Sequence, residues 1–191
     1  MSGRRIVLAS GNPHKAVELG RVLPGFAVEA YAGDLPDETG ETFLENARLK
    51  AHHVHAALGG GVWVLADDSG IEAAALGGVP GVRSARYAGE DATDEQNLRK
   101  LLDALRGEAD RRVRYVAELV AVSPQGDERH ARGELRGTLA AAPRGSGGFG
   151  YDPAVIPEGE TRTVAEMTPD EKDAISHRAR AAAALLPQLS E

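Results

Sequence analysis

Six residues at the end of an apolar run, Ser10, Gly11, Asn12, Pro13, His14 and Lys15, have the makeup of an anion cradle. Asn12 suits a helix N-cap and Pro13 the first helical position. A helix starting there points unsatisfied N–H groups, and about half a positive charge, back toward the preceding residues. Gly11 allows close backbone approach and Lys15 adds a full charge, so a phosphate group fits the segment. The G-x-x-x-x-G-K-[ST] spacing of a P-loop is absent. A capped helix with a solvated lysine accounts for the same residues.

The second chemical segment is ADDSG at 66–70. Adjacent carboxylates repel, and they suit a place where a cation or a general-base role requires them. Side chains alternate along a strand, so Asp67 and Asp68 need not face the same way. A D-S-G turn is the plain alternative. The acidic loop PDETGE adds Asp37, Glu38 and Glu41. Mg2+ needs only one or two carboxylates alongside phosphate oxygens and water, so one residue of this loop with one of Asp67 and Asp68 would suffice.

Two later segments could hold the rest of a nucleotide. In GSGGFGYDP, at 145–153, glycines permit close approach while Phe149 and Tyr151 offer flat faces. Aromatic stacking contributes about 1–3 kcal/mol per nucleobase; a flexible turn with a core aromatic is the alternative. In EMTPDEKDAISHR, one continuous helix would spread Lys172, His177 and Arg178 over roughly 240° at 100° per residue. A break near Ser176, with that serine capping a second helix, puts His177 and Arg178 at a helix start. Cations are disfavoured there unless an anion or carbonyl-rich ligand is near.

The elements that must position these residues can be read from the pattern. Arg5 to Ala9 reads as a buried strand, Pro13 to Leu23 as a helix, and Phe26, Val28 and Ala30 as alternating positions of a second strand. Thr42 and Glu45 form a capping box before a helix carrying Leu44, Ala47, Ala51, Val54 and Leu58, which the glycines at 59–61 end. Val62 to Ala66 reads as a short strand running into DDSG. Thr93 and Gln96 cap a further helix. Val113 to Ser123 has the composition of a central strand, with Arg129 to Leu139 as its antiparallel neighbour. Thr168, Pro169 and Glu171 mark another helix start. Strands and helices that alternate early, with a strand pair later, argue for an α/β chain with a mixed sheet.

Composition narrows the class. The chain has 191 residues, no cysteine and a net charge of −7. Disulfides and thiolate metal sites are excluded, and an acidic chain without a basic run is poorly suited to gripping nucleic acid. The apolar run near the N-terminus is too short for a signal peptide, and no stretch approaches the roughly 18 apolar residues of a membrane span. These features read as a soluble, cytoplasmic protein with no membrane partner.

Taken in order, SGNPHK, ETGETFLENARLKA, ADDSGIEAAALGGVPGVRSARYAG, GSGGFGYDP and AEMTPDEKDAISHR resemble the Ham1/RdgB family of inosine triphosphate pyrophosphatases, from about residue 5 to residue 186. The resemblance implies a single domain over 1–191: an elongated mixed β-sheet flanked by helices, in two lobes with a substrate cleft between them, usually as a homodimer. It implies Mg2+-dependent hydrolysis of inosine and xanthosine triphosphates, ribo or deoxy, to the monophosphate and pyrophosphate. Carried over by motif, Ser10, Gly11, Asn12, Pro13, His14 and Lys15 would hold the triphosphate. Asp68 would be general base and metal ligand, Ser69 would touch substrate, and Glu38 would be the second metal ligand, with Glu41 as the alternative. Phe149, Gly150, Tyr151 and Asp152 would hold base and sugar, with Lys172, His177 and Arg178 completing the base pocket. Asp173 stands where the family usually has asparagine. A nucleotide-sensing module that binds without turnover is the alternative of another class, and the paired carboxylates argue against it.

Overall fold

Strand β1, Arg4–Leu8, begins on two exposed arginines and buries Ile6, Val7 and Leu8, and a βαβ unit follows from it. Helix α1, Pro13–Val22, leads to β2, Phe26–Ala30, which pairs parallel with β1 from Arg4↔Phe26 to Leu8↔Ala30. Helix α2, Phe43–Leu58, then returns the chain to the other side of β1. There β3, Trp63–Ala73, pairs parallel with it at Ile6↔Trp63, Val7↔Val64 and Leu8↔Leu65. The remaining elements are α3 (Asp94–Ala104), β4 (Arg112–Val122), β5 (Glu128–Leu139), β6 (Val155–Pro157), α4 (Pro169–Ile175) and α5 (His177–Leu185). The sheet is open and mixed, in the order β2-β1-β3-β4-β5-β6, with β6 antiparallel to β5. These positions come from a computed structural model that describes residues 4–189.

Local sequence explains the boundaries. Thr42 with Glu45, Thr93 with Gln96 and Thr168 with Glu171 each form a reciprocal capping box, and Gly59 ends α2 in the left-handed conformation. Only five residues join β4 to β5, a length that permits only an antiparallel pair. Ser123 closes that turn by accepting the N–H groups of Gln125 and Asp127 on its hydroxyl. α4 and α5 are separate, with Ser176 extended between them, so the expected break is present.

One expectation fails. β3 does not stop at Ala66 but runs through Asp67, Asp68, Ser69 and Gly70 to Ala73. The DSG sequence therefore makes no turn. Two acids are tolerated inside a buried strand because cations from three helices reach them, as described below. The short strand β6 was not evident in the sequence at all.

The described chain divides into two compact units. One takes in the chain up to Asp68, with Ala117–Gly133 and the chain from His177 onward; the other takes in Ser69–Val116 and Glu134–Ser176. In the first, α1 and α5 pack on one face of the sheet through Leu19, Leu23, Ala181 and Leu185 against Ile6, Leu8 and Leu65. α2 packs on the other face through Ala47, Ala51 and Val54 against Val7, Val64 and Ala66. The core of the second unit gathers Ile71, Leu98, Leu101, Val113, Tyr115, Leu135, Tyr151 and Val155.

Candidate active site

The strand order reverses at β1, since α1 carries the chain to one side of it and α2 to the other. In open α/β sheets such a reversal leaves a crevice at the carboxyl ends of the strands. Here β1 ends, with Ala9 N–H donating to Leu65 O at 2.7 Å. Two residues further along β3, the carbonyl of Asp67 accepts from two ammonium groups: Lys15 Nζ at 3.2 Å and Lys50 Nζ at 3.0 Å. Ser10 to Lys15 lie beside this point. Asn12 caps α1 by accepting His14 N–H on Oδ1 at 2.9 Å, and the Ser10 hydroxyl accepts Asn12 N–H at 3.2 Å. Gly11, Pro13 and His14 are exposed, so the helix start is open to solvent.

Alternation along β3 sends the two aspartates to opposite faces of the sheet. Asp68 shares the α2 face with Val64 and Ala66. There Lys50, on the buried stripe of α2, donates to Asp68 Oδ1 and to Glu38 Oε1, both at 2.8 Å. One ammonium thus holds the two carboxylates that the motif suggested as metal ligands. The backbone N–H of Glu41, the alternative ligand, donates to the Glu45 carboxylate at 2.8 Å. Burial pushes the Asp68 carboxyl above its ordinary range and Glu38 adds to this, while Lys50 and Lys15 pull it back. Burial also acts to lower Lys50, but Asp68 and Glu38 outweigh it and the ammonium is held above its usual value. Lys15 is lowered, by burial first and by Lys50 and Arg178 beyond that, with Asp67 opposing.

Asp67 points to the α1/α5 face. Lys15 donates to its Oδ1 at 3.0 Å, and Arg178 Nε donates to its Oδ2. Arg178 Nη1 in turn donates to Glu18 Oε2 on α1. Arg178 is 2% exposed, and the guanidinium stays charged there because two carboxylates flank it. His177, also buried, starts α5, and its carbonyl lies so near Gly133 that a Cβ there would come within 2.0 Å. The first unit therefore concentrates three cations, Lys15, Lys50 and Arg178, among four carboxylates, Glu18, Glu38, Asp67 and Asp68. Each ion that is buried here costs several kcal/mol of desolvation, which the opposite charges around it must offset.

In the second unit the glycine-rich loop is organised by Asp152, which is 3% exposed. Its Oδ2 accepts Phe149 N–H at 3.0 Å and Lys172 Nζ at 2.7 Å, and its Oδ1 accepts the Tyr115 hydroxyl at 2.9 Å. Lys172 also stands 4.9 Å from the centre of the Phe149 ring, so one face of that ring rests on a cation. Tyr151 is buried and donates its hydroxyl to Ser84 O at 2.7 Å. Gly148 has φ +69°, and a Cβ there would lie 2.1 Å from Asp152 Oδ2. The glycines thus serve the loop's own folding. Ser69, Phe149, Gly150, Tyr151, Asp152 and Lys172 belong to this unit, while Ser10 to Lys15, Glu38, Asp68, His177 and Arg178 belong to the first.

Sequence reasoning overlooked Lys50 and Glu18. A signal existed for each. Lys50 sits three residues after Ala47, on the apolar stripe of α2, and Glu18 adjoins Leu19, with which it is buried in α1. A charge on a buried helical face needs a partner, and both helices carry one.

The sequence matches the model of the Ham1 family over residues 6–188. A dITP/XTP pyrophosphatase of Deinococcus deserti is 48% identical over 97% of this chain and 89% of its own length. A dITP/XTP pyrophosphatase of Streptomyces coelicolor is 45% identical over 98% of each. The solved structures of Ham1 proteins from Staphylococcus aureus and Coxiella burnetii superpose with TM-scores of 0.86 and 0.87. Each is 38% identical over 98% of both chains.

Proposed function

The chain belongs to the Ham1 family, and on that footing we propose that it hydrolyses inosine and xanthosine triphosphates, ribo or deoxy, to the monophosphate and pyrophosphate. This would clear such nucleotides from the cellular pool. The observation that carries the reading is the convergence of Asp68 and Glu38 on Lys50, beside a helix start that can hold phosphate. Two carboxylates that share one ammonium are the donor set a hard divalent cation needs once phosphate oxygens and water complete it. Asp68 and Glu38 would hold Mg2+, which supplies charge neutralisation on the phosphoryl oxygens when bound.

The chain's own residues supply the remainder. Lys15 and the amides that open α1 bind the polyphosphate. Asp68 orients a water and takes its proton as the oxygen bonds to the α-phosphorus. The α–β phosphoanhydride bond breaks, and its electron pair leaves with pyrophosphate. Asp67, neutralised by Lys15 and Arg178, keeps those two cations in place. Phe149 presents an aromatic face to the base, and Asp152 with Lys172 fixes that face. Arg178 and His177 favour a purine with a carbonyl at position 6, because arginine carries donors only. We further propose a homodimer, on the resemblance alone, which light scattering of the purified chain would test.

The deciding experiment is pyrophosphate release from a panel of triphosphates with Mg2+ present. The proposal expects ITP, dITP and XTP to be turned over far faster than ATP, GTP, CTP or UTP. Equal rates across the panel would sink the substrate assignment, and no release from any member would sink the activity.

A further inference from the structure

Helix α3 opens on a capping box in which Thr93 and Gln96 satisfy each other's N–H groups. Asp94 and Glu95 come next, and negative charge in a first helical turn is favourable. That explanation covers Glu95 fully. Asp94 does something more: its Oδ2 accepts the N–H of Gly150 at 2.8 Å, across 56 residues of chain. The preceding amide, Phe149 N–H, is held by Asp152 at 3.0 Å. The peptide planes on both sides of the Phe149 Cα are thereby fixed. Together they set the φ and ψ of Phe149, and with them the direction in which its ring leaves the backbone. Gly150 has φ +60°, where a residue with a side chain would be strained, so its amide reaches Asp94 in a conformation suited to glycine.

The same helix holds the neighbouring segment. Asn97 accepts Ala88 N–H at 2.8 Å and donates to Ala85 O at 2.9 Å, while Lys100 donates to Tyr87 O at 2.6 Å. The first turns of α3 therefore brace two loops, and Asp94 is the brace on the aromatic one. We propose that Asp94 is a positioning residue for nucleobase binding, acting through the Phe149–Gly150 peptide without touching substrate. This rests on the reading that Phe149 to Asp152 hold the base. Asp94 is exposed, so replacing it leaves the core of the fold intact.

The test compares Asp94→Ala, Asp94→Asn and Glu95→Ala in the full chain, by amide hydrogen exchange at Gly150 and by steady-state kinetics on ITP. Asp94→Ala should speed Gly150 exchange and raise KM about tenfold, a loss of about 1.4 kcal/mol in binding, with kcat little changed. Asp94→Asn should stay near wild type, because its carbonyl oxygen accepts the same hydrogen. Glu95→Ala, which removes the same helix-start charge, should leave both readouts unmoved. Asp94→Ala behaving like Glu95→Ala would overturn the proposal. So would Asp94→Asn failing as badly as Asp94→Ala, since charge and not the loop contact would then be at work. If the wild type turns over no triphosphate, the functional reading falls, and exchange at Gly150 still decides whether Asp94 anchors the loop.

Discussion

Lys50 offers the sharpest test of how the charge cluster is balanced. It is 4% exposed and its ammonium contacts Glu38, Asp68 and the carbonyl of Asp67. Lys50→Met keeps most of the side chain's volume and removes the charge. Taking one partner from a buried ion pair costs about 3–5 kcal/mol. The Glu38 side chain is 31% exposed and that of Asp68 only 8%, so solvent screens one half of the loss. A net cost of about 2–3 kcal/mol follows, which for a chain of this size lowers Tm by roughly 5–10 °C. The folded pKa of Lys50 is raised above 10.5. Its pairing therefore stabilises in full below that pH and fades only as pH rises through the folded value, so neutral buffer captures the whole effect. The variant also leaves two carboxylates facing each other with no ammonium between them. Mg2+ should bind there more tightly, and at about a hundred times its Kd it contributes about 2.7 kcal/mol. Thermal melts in chelator and in Mg2+ measure both effects. The variant should melt lower than wild type in chelator and gain more from Mg2+. Equal melting in chelator, or an equal Mg2+ shift, would refute the reasoning.

Other consequences follow from the same geometry. Arg178→Ala removes the guanidinium that Glu18 and Asp67 share in the core, with Lys15 still on Asp67, and should destabilise by about 3 kcal/mol in a denaturant titration; assayed well below its Tm, it should lower kcat/KM for ITP far more than for ATP. Gly148→Ala drives a Cβ against Asp152 Oδ2 in a left-handed conformation; backbone strain of about 1–3 kcal/mol should appear as a lower Tm together with weaker substrate binding. A chelator should abolish turnover and Mg2+ restore it, while Ca2+, which prefers a larger and looser oxygen shell, supports it poorly; full activity in excess chelator would reject the metal.

Much of the architecture was legible because it rests on local chemistry. The capping boxes at Thr42, Thr93 and Thr168 and the glycine stop at Gly59 are short-range signals, and each lies where the pattern put it. The strand through Asp67 and Asp68 was not legible. A pair of acids followed by Ser-Gly reads as a turn when only neighbours are considered, and what keeps it extended comes from Lys15, Lys50 and Arg178, up to 111 residues away. For the same reason the sequence offered Asp68 as a site without disclosing Lys50, whose role depends on tertiary contact. Asp152 shows a subtler gap. Its motif marks it for substrate, yet in the fold it accepts from Phe149, Tyr115 and Lys172, which makes it the organiser of the loop. Arg178 likewise carries its own buried carboxylates, so its removal disturbs stability apart from the recognition proposed for it.

The central claim is that Asp68 is the base of a pyrophosphate-releasing hydrolase. It is tested most directly by pyrophosphate release from ITP by wild type and Asp68→Asn, side by side with saturating Mg2+. An amide cannot take the water's proton, and loss of a general base costs about 10²–10⁴ in rate. The account predicts steady pyrophosphate release by the wild type and a fall of that size in the variant, with the fold retained by circular dichroism. A folded variant that keeps more than about a tenth of wild-type kcat would contradict it.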